Sequence, residues 1–325
     1  MSAGEDNRMH LLADIGGTNV RFALLAPGTL QPLHEQSYRC ADFNGLEHAV
    51  RTYLAQTGNP EVVDAAFDVA TAVTGDLIRL TNSPWAFSIE QTRRQLNLNR
   101  LVVLNDFTAL ALSVPTLTAA EMRRVGGGSV TDAKAIAVIG AGTGLGMSGL
   151  FRVGGRWFAI EGEGGHGAFS PMDDREDAVL HVLRERFGHV SNERLLSGPG
   201  LVNIYEALCR LAHVAVQALA PERITEFGIN GSDAQCAEAL AMFCAALGTA
   251  AANLALTLGA RGGVYVGGGI VPQLGDYFER SRFRSRFEHK GRFSSYMAAI
   301  PTYVITGENM ALRGLALALF PSGAD

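Results

Sequence analysis

The sequence predicts an α/β protein, and three observations predict it. Short apolar strands alternate with segments of helical spacing, which points to layers of sheet and helix. Several strands run straight into glycine-rich turns, at residues 14–19, 140–146 and 267–269. The chain has 325 residues, 47% of them hydrophobic, enough for a large core and far from the composition of a disordered chain.

The elements follow in order. Residues 11–13 begin an apolar strand that ends in Asp14-Ile15-Gly16-Gly17-Thr18-Asn19, and residues 20–26 form a second apolar run. Two short strands joined by Gly-Gly read as a hairpin. Asn44 precedes Leu46, Ala49, Val50, Tyr53 and Leu54 at helical spacing, with Glu47 placed for a capping box. Residues 65–73 and 77–80 read as strands broken at Thr74-Gly75-Asp76. Ser88, with Gln91 three residues on, opens a helix. Leu101-Val102-Val103-Leu104 is a β-branched strand that gives way at Asn105-Asp106 to a helical run over 107–112.

Gly126-Gly127-Gly128-Ser129 marks a surface loop or domain joint. Residues 135–139 form a strand leading into the glycines of 140–146, and residues 157–160 form another entering the turn at 162–167. Ser197-Gly198-Pro199 opens a helix with Leu201, Ile204, Tyr205, Leu208 and Leu211 on one face. Ser232, with Gln235, is placed to cap a long apolar helix. Its residues 239–260 carry no charge and are long enough to cross a bilayer. They are mainly alanine, with Gly248, Thr249, Asn253, Thr257 and Gly259 among them, so a helix buried on all sides of a soluble domain is expected. Gly262-Gly263 closes that region, and Val264-Tyr265-Val266 is a strand leading to Gly267-Gly268-Gly269.

Charge and cysteine content narrow the function classes. Lys and Arg number 27 against 32 Asp and Glu, a net charge of −5, which argues against a protein that coats nucleic acid. The run Arg280, Arg282, Arg284, Arg286, Lys290 and Arg292, interleaved with Phe278, Phe283, Phe287 and Phe293, reads as an amphipathic helix with a solvated basic face. Cys40, Cys209, Cys236 and Cys244 form no CxxC pair, so neither a zinc knuckle nor a disulfide framework is expected, and a cytoplasmic location is. Residues 1–10 lack the apolar core of a signal peptide.

The glycine turns carry the chemical signal. A backbone free of Cβ atoms can aim successive N–H groups at an anion, and phosphate suits such a nest. In the first turn Asp14 adds a carboxylate beside that nest, which implies Mg²⁺ held through water; a plain hairpin with an Asx turn is the other reading. In residues 140–146 glycine takes every second position, with Thr143 at the centre, and close approach to a ligand is the better reading. No Gly-Lys-Ser/Thr follows, so it is not a Walker A loop. Gly162-x-Gly164-x-x-Gly167 matches the dinucleotide fingerprint, but Pro171 disfavours an immediate crossover helix, and the match is a decoy. Glu161, Glu163 and His166 on that loop, with Glu193, suit a polyhydroxylated ligand as well as a metal. Asp106 reads as an N-cap, as a general base at the C-terminal edge of a sheet, or as both.

Taken in order over residues 10–305, these segments resemble the bacterial glucokinases of the sugar-kinase, actin and chaperone superfamily. Asp14-Ile15-Gly16-Gly17-Thr18-Asn19 is similar to that family's first phosphate motif, Leu104-Asn105-Asp106-Phe107 to its catalytic segment and residues 140–146 to its second phosphate motif. Glu163-Gly164-Gly165-His166 and the run from Glu193 to Gly200 resemble sugar-binding segments, and Gly267-Gly268-Gly269-Ile270-Val271-Pro272 the adenosine-side motif. Three positions depart from the pattern: Ala13 before the first aspartate, Ala72 where proline is common, and residues 306–312. The clustered-cysteine zinc motif of the related repressor and kinase family is absent, as is a helix-turn-helix before residue 11.

The resemblance implies a two-lobed actin-like ATPase (ribonuclease H-like) fold with an interdomain cleft, residues 1–114 plus 306–325 making the small domain and 115–305 the large one. It implies a hexokinase-type enzyme, phosphorylating glucose at the 6-hydroxyl with ATP and Mg²⁺. Asp106 would be the general base, and Asn105, Glu163, His166 and Glu193 would hold the sugar. Asp14, Gly16, Gly17, Thr18, Asn19, Gly142, Thr143, Gly144 and Gly268 would serve the nucleotide, with Mg²⁺ near Asp14. A homodimer is the family habit, and the acidic charge balance and the alanine-rich helix lead us to expect no nucleic-acid or membrane partner. Polyphosphate as donor, a kinase for a related hexose, a sugar-sensing protein without catalysis and a sugar-independent ATPase are the alternatives.

Overall fold

The computed structural model describes residues 8–80, 83–130 and 134–320. Along the chain run strands β1 (Arg8–Ile15), β2 (Asn19–Leu25) and β3 (Leu33–Arg39), helix α1 (Leu46–Gln56), strands β4 (Glu61–Val69), β5 (Leu77–Arg79) and β6 (Ala86–Ser88), helix α2 (Ile89–Gln95), strand β7 (Arg100–Asn105) and helix α3 (Asp106–Ser113). Strands β8 (Met122–Arg124), β9 (Ala135–Ala141), β10 (Leu145–Val153) and β11 (Arg156–Ile160) follow, then helices α4 (Asp174–Phe187), α5 (Gly198–Leu211), α6 (Pro221–Asn230) and α7 (Ala234–Leu258). The last part holds β12 (Val264–Gly267), α8 (Asp276–Arg280), α9 (Phe283–Glu288), α10 (Ser294–Ala299), β13 (Thr302–Ile305) and α11 (Met310–Leu319). The chain divides into two compact units. One takes the chain up to Leu117, Arg152–Glu161 and everything from Gly307; the other takes Thr118–Phe151 and Gly162–Thr306.

The first unit is built on a five-stranded sheet of order β3-β2-β1-β4-β7. β1, β2 and β3 are antiparallel neighbours, whereas β4 and β7 run parallel to β1. β1 is apolar on both faces because both are covered. Leu11, Ala13 and Ile15 pack with Phe22 and with Tyr53 of α1, and Leu12 packs with Ala66, Leu312 and Leu315 beneath α3 and α11. α3 and α11 approach so closely that a Cβ on Gly314 would lie 1.7 Å from the Ala109 carbonyl oxygen. β3 escapes the sequence reading because Leu33–Arg39 is an edge strand with no buried residue, so no alternation marks it.

Strand register lines up one polar row across this sheet. Ser37 is opposite Arg21, Arg21 opposite Asp14, Asp14 beside Asp68, and Asp68 beside Leu104. Cross-strand partners share a face, so the row lies on the side covered by α3 and α11. Asp68 is fully buried, and neither carboxylate oxygen has an ordinary hydrogen-bond partner among the described residues. Burial, then the Asp14 and Asp106 carboxylates, push its carboxyl well above the usual range, with Arg21 pulling the other way. A proton on Asp68 lets it face Asp14 as a donor rather than as a second anion.

A second, six-stranded sheet has the order β11-β10-β9-β12-β13-β8. β9 and β10 form an antiparallel hairpin, β12 and β13 run parallel to β9, and β8 closes the edge antiparallel to β13. Every residue of β9 is buried. α7 is the one helix among the described residues long and apolar enough to cross a membrane, and 78% of its most apolar window is buried inside the protein. It packs with α5, α6 and α9, so the core position expected from its alanine content is the one observed. Apolar residues then surround it on several sides instead of lining one stripe.

Several local expectations shift. Gly45 caps α1, and Glu47 pairs with Arg51 at 2.8 Å instead of closing a capping box on Asn44. Ser88 caps α2 and accepts from the Gln91 amide as expected. Asp233, one residue past Ser232, caps α7, and left-handed Gly259 ends it before Gly262 is reached. Gly126-Gly127-Gly128 is no loose joint, because a Cβ at Gly127 would meet the Ile300 carbonyl oxygen at 2.3 Å. The basic run is three short helices instead of one solvated helix. Phe278, Phe283 and Phe287 are fully buried, and Arg286 is only 4% exposed. Arg286 donates to Asp173 at 2.9 Å and to the buried Glu176 at 3.2 Å. Arg284 is bound by Glu288 at 2.7 Å and the Ile300 carbonyl at 2.9 Å. Helices α4 and α6 were not anticipated; α4 is dominated by charge, and only Val179, Leu180, Leu183 and the ion-paired Glu176 are buried on it.

Arg286→Met leaves Glu176 and Asp173 without their buried counter-charge and lowers stability by about 3–5 kcal/mol in urea unfolding. A loss under about 1 kcal/mol contradicts the pairing. The raised carboxyl of Asp68 binds a proton in the folded state that the unfolded chain has released. Its contribution is therefore present at low pH and lost as pH rises through the folded value. Asp68→Asn removes that titration, so its melting temperature gains on the wild type as pH rises above the ordinary carboxylate value of about 4. Parallel curves contradict the assignment.

Candidate active site

In the first unit, three parallel strands end together. Asp14 stands one residue before the end of β1, Asp68 one residue before the end of β4, and β7 ends at Asn105 where α3 begins. The helix cap falls on Asn105 and not on Asp106. The Asn105 Oδ1 accepts from the Phe107 amide at 2.9 Å and from the Thr108 amide at 3.4 Å. Its Nδ2 donates to the Thr71 carbonyl at 3.4 Å. Asp106 is the first helical residue, and its Oδ1 accepts from the Phe107 amide at 2.9 Å. The N-terminal end of α3 favours a negative charge at Asp106.

The β1–β2 turn is a hairpin, and its shape also suits an anion. The Gly16 amide donates to the Asn19 carbonyl at 3.0 Å, while the amides of Gly17 and Thr18 carry no hydrogen bond among the described residues. Thr18 is exposed. Cys40 braces the turn from below: its amide donates to the Thr18 carbonyl at 2.8 Å, and its thiol lies 3.6 Å from the Gly16 carbonyl oxygen. Asp14 stands beside this turn, partly exposed, with Arg21 Nη1 3.9 Å away. Two open amides would suit a phosphate, and the Asp14 carboxylate beside them would suit a cation that accompanies it, held through water. Among the described residues no group of three or more His, Cys, Asp or Glu could hold a metal alone.

The second unit gathers the rest. The β9–β10 hairpin turns through Gly142-Thr143-Gly144, so a hairpin does occupy this motif, and the glycines have separate reasons. A Cβ at Gly140 would meet the Gly267 backbone at 2.5 Å, and one at Gly144 would meet the Glu193 carboxylate at 2.6 Å. The Gly142 amide donates to the Gly144 carbonyl at 2.8 Å, leaving the amides of Thr143 and Gly144 without a partner among the described residues. Gly268, at φ +80°, is pressed on the Ala141 backbone, and the Ile270 amide donates to the Ala141 carbonyl at 3.2 Å. The Gly267–Gly269 turn thus lies against the end of β9.

Glu163, His166 and Glu193 come together. His166 Nδ1 is 3.9 Å from Glu193 Oε1, and His166 Nε2 is 3.9 Å from Glu163 Oε2. Glu193 is fixed by the Leu145 amide, which donates to its Oε2 at 3.0 Å. The loop bearing Glu163 forms a short 3-10 turn, Gly164–His166, wedged on β10; α4 starts only at Asp174, so the dinucleotide match has no crossover helix. All three side chains keep solvent-facing polar atoms, which is what a ligand rich in hydroxyls requires.

Three residues of this region were not singled out from sequence: Asp68, Arg21 and Asn309. Asp68 had a signal, a lone acid inside the apolar run Ala65-Ala66-Phe67-Asp68-Val69. Arg21 had one too, since hairpin register across Gly16-Gly17-Thr18 places it opposite Asp14.

Comparison with known proteins places these features. The family model described as Glucokinase matches residues 11–321. A glucokinase from Chromobacterium violaceum is 52% identical over 307 residues, 94% of this chain and 88% of the relative. One from Aromatoleum aromaticum is 52% identical over 318 residues, 97% and 95% of the two chains. The crystal structure of a glucokinase from an Antarctic psychrotroph superimposes with a TM-score of 0.88 at 34% identity, covering 97% of this chain and 99% of that one. The expected fold class, a two-lobed actin-like kinase, is the one these neighbours share. On sequence and fold alike, the chain belongs to the glucokinase family.

Proposed function

We propose that this chain transfers the terminal phosphoryl group of ATP to the 6-hydroxyl of glucose, with Asp106 as the general base. The observation that carries the assignment is the place of Asp106. It opens α3 where three parallel strands end, with Asp68 close to both Asp106 and Asp14, and Asp14 leads into the turn that carries the open amides of Gly17 and Thr18.

The glucose 6-oxygen forms a bond to the γ-phosphorus as the bond to the bridging oxygen of ADP breaks. The hydroxyl proton passes to the Asp106 carboxylate. Phosphoryl transfer asks the protein chiefly for positioning and charge stabilisation, so the base accounts for one part of the rate. Asn105 has spent its carbonyl oxygen on the α3 amides, so it meets a sugar hydroxyl as a donor. Glu163 and Glu193 accept from hydroxyls, and His166 between them donates or accepts. Gly16, Gly17, Thr18 and Asn19, and Gly142, Thr143, Gly144 and Gly268, are assigned to the nucleotide. Mg²⁺, held near Asp14 through water, would neutralise phosphate charge. The enzyme works in the cytoplasm, a reading supported by four buried free thiols, and as a homodimer without nucleic-acid or membrane partners.

Asp106→Asn lowers kcat in a coupled assay for glucose 6-phosphate by about 10²- to 10⁴-fold, with sugar affinity little changed. Near-wild-type turnover removes Asp106 from the role.

A further inference from the structure

Within residues 306–312, where the sequence fits the resemblance least, the structure gives Asn309 a task. Asn309 precedes α11 at φ +56°, a left-handed conformation that Asn tolerates better than most residues. An Asn at a helix start ordinarily accepts from the helix's own amides. Asn309 makes no such cap bond. Its Oδ1 instead accepts from Arg21 Nη1 on β2, and its Nδ2 donates to Glu35 Oε2 on β3.

Arg21 is thereby held on two sides. Its Nε donates to Ser37 Oγ at 3.2 Å, its Nη1 to Asn309, and that same nitrogen lies 3.9 Å from Asp14 Oδ2. A planar guanidinium pinned at both ends has little freedom to follow another partner. The polar row makes the placement consequential. Asp14 has the acidic Asp68 on one side and Arg21 on the other, so Arg21 is its neighbouring counter-charge within the sheet. Without that charge, nothing cationic on β2 holds the Asp14 carboxylate in this orientation, and it is free to swing toward solvent.

We propose that Arg21 is a positioning residue for the nucleotide, holding the Asp14 carboxylate beside the Gly16–Thr18 turn, and that Asn309 fixes Arg21 for that purpose. The inference rests on the kinase reading above and adds to it a link from the start of the last helix to the first phosphate turn. No covalent step is involved.

Asn309→Gly is the cleanest probe, because glycine accepts a positive φ and only the amide side chain is lost. Titration calorimetry of the unliganded protein with a non-hydrolysable ATP analogue, with and without Mg²⁺, reads binding directly; steady-state kinetics read the two substrates separately. The variant binds the Mg²⁺–analogue complex roughly tenfold more weakly and raises the KM for MgATP by a similar factor. The KM for glucose stays within about twofold, and the melting temperature does not fall. Arg21→Lys, which keeps charge but cannot reach Ser37, Asn309 and Asp14 together, shows the same split. Unchanged analogue binding in Asn309→Gly, or equal losses for both substrates with a lowered melting temperature, overturns the link and leaves the kinase reading standing. A wild-type protein that phosphorylates no glucose overturns both.

Discussion

The first unit depends on β4 pairing in parallel with β1 on one side and β7 on the other. Parallel pairing fixes direction, so the three strands end at the same edge, and register fixes which residues meet there. One residue of slip would send every side chain to the opposite face. Asp14 and Asp68 would then enter the cluster containing Phe22 and Tyr53, and Leu11 and Phe67 would face the α3–α11 side. The apolar residues on both faces of β1 and β4 make that slip costly, so the core that stabilises the sheet also places its acids.

The same economy appears in the second unit. The β9–β10 hairpin and the Gly267–Gly269 turn meet because Gly140 lets β9 and β12 touch main chain to main chain. Gly144 leaves room for Glu193, and Glu193 holds the Leu145 amide. The glycines of this motif thus serve packing as well as any ligand. A single Cβ at Gly140 would separate strands on which the turn geometry depends.

Much of this was legible in the chain. The β1–β2 hairpin, the caps Ser88 and Ser197, the apolar face of α5 and the buried nature of α7 could be read from residue type and spacing, whereas the hairpin at Gly142–Gly144 was read only as a ligand loop. Glu163, His166 and Glu193 could be named but not assembled, since 26 residues, a helix among them, separate His166 from Glu193. Asp106 was visible at a strand-to-helix junction; that Asn105 takes the capping role depends on backbone geometry within one residue. β3 was hidden because an edge strand with no buried residue shows no alternation. The basic run misled because arginine reads as solvated, whereas Arg286 is buried by carboxylates that lie 110 and 113 residues away in sequence. Arg21 and Asn309 are likewise 288 residues apart, and only the fold joins them.

The central claim is that strand pairing puts Asp106 where a primary alcohol is activated. The direct measurement is a crystal structure of the protein with glucose and a non-hydrolysable ATP analogue. The account predicts the glucose 6-oxygen within about 2.6–3.2 Å of an Asp106 carboxylate oxygen, on the side facing the γ-phosphate. A bound sugar whose 6-oxygen points away from Asp106, toward another carboxylate, would contradict it.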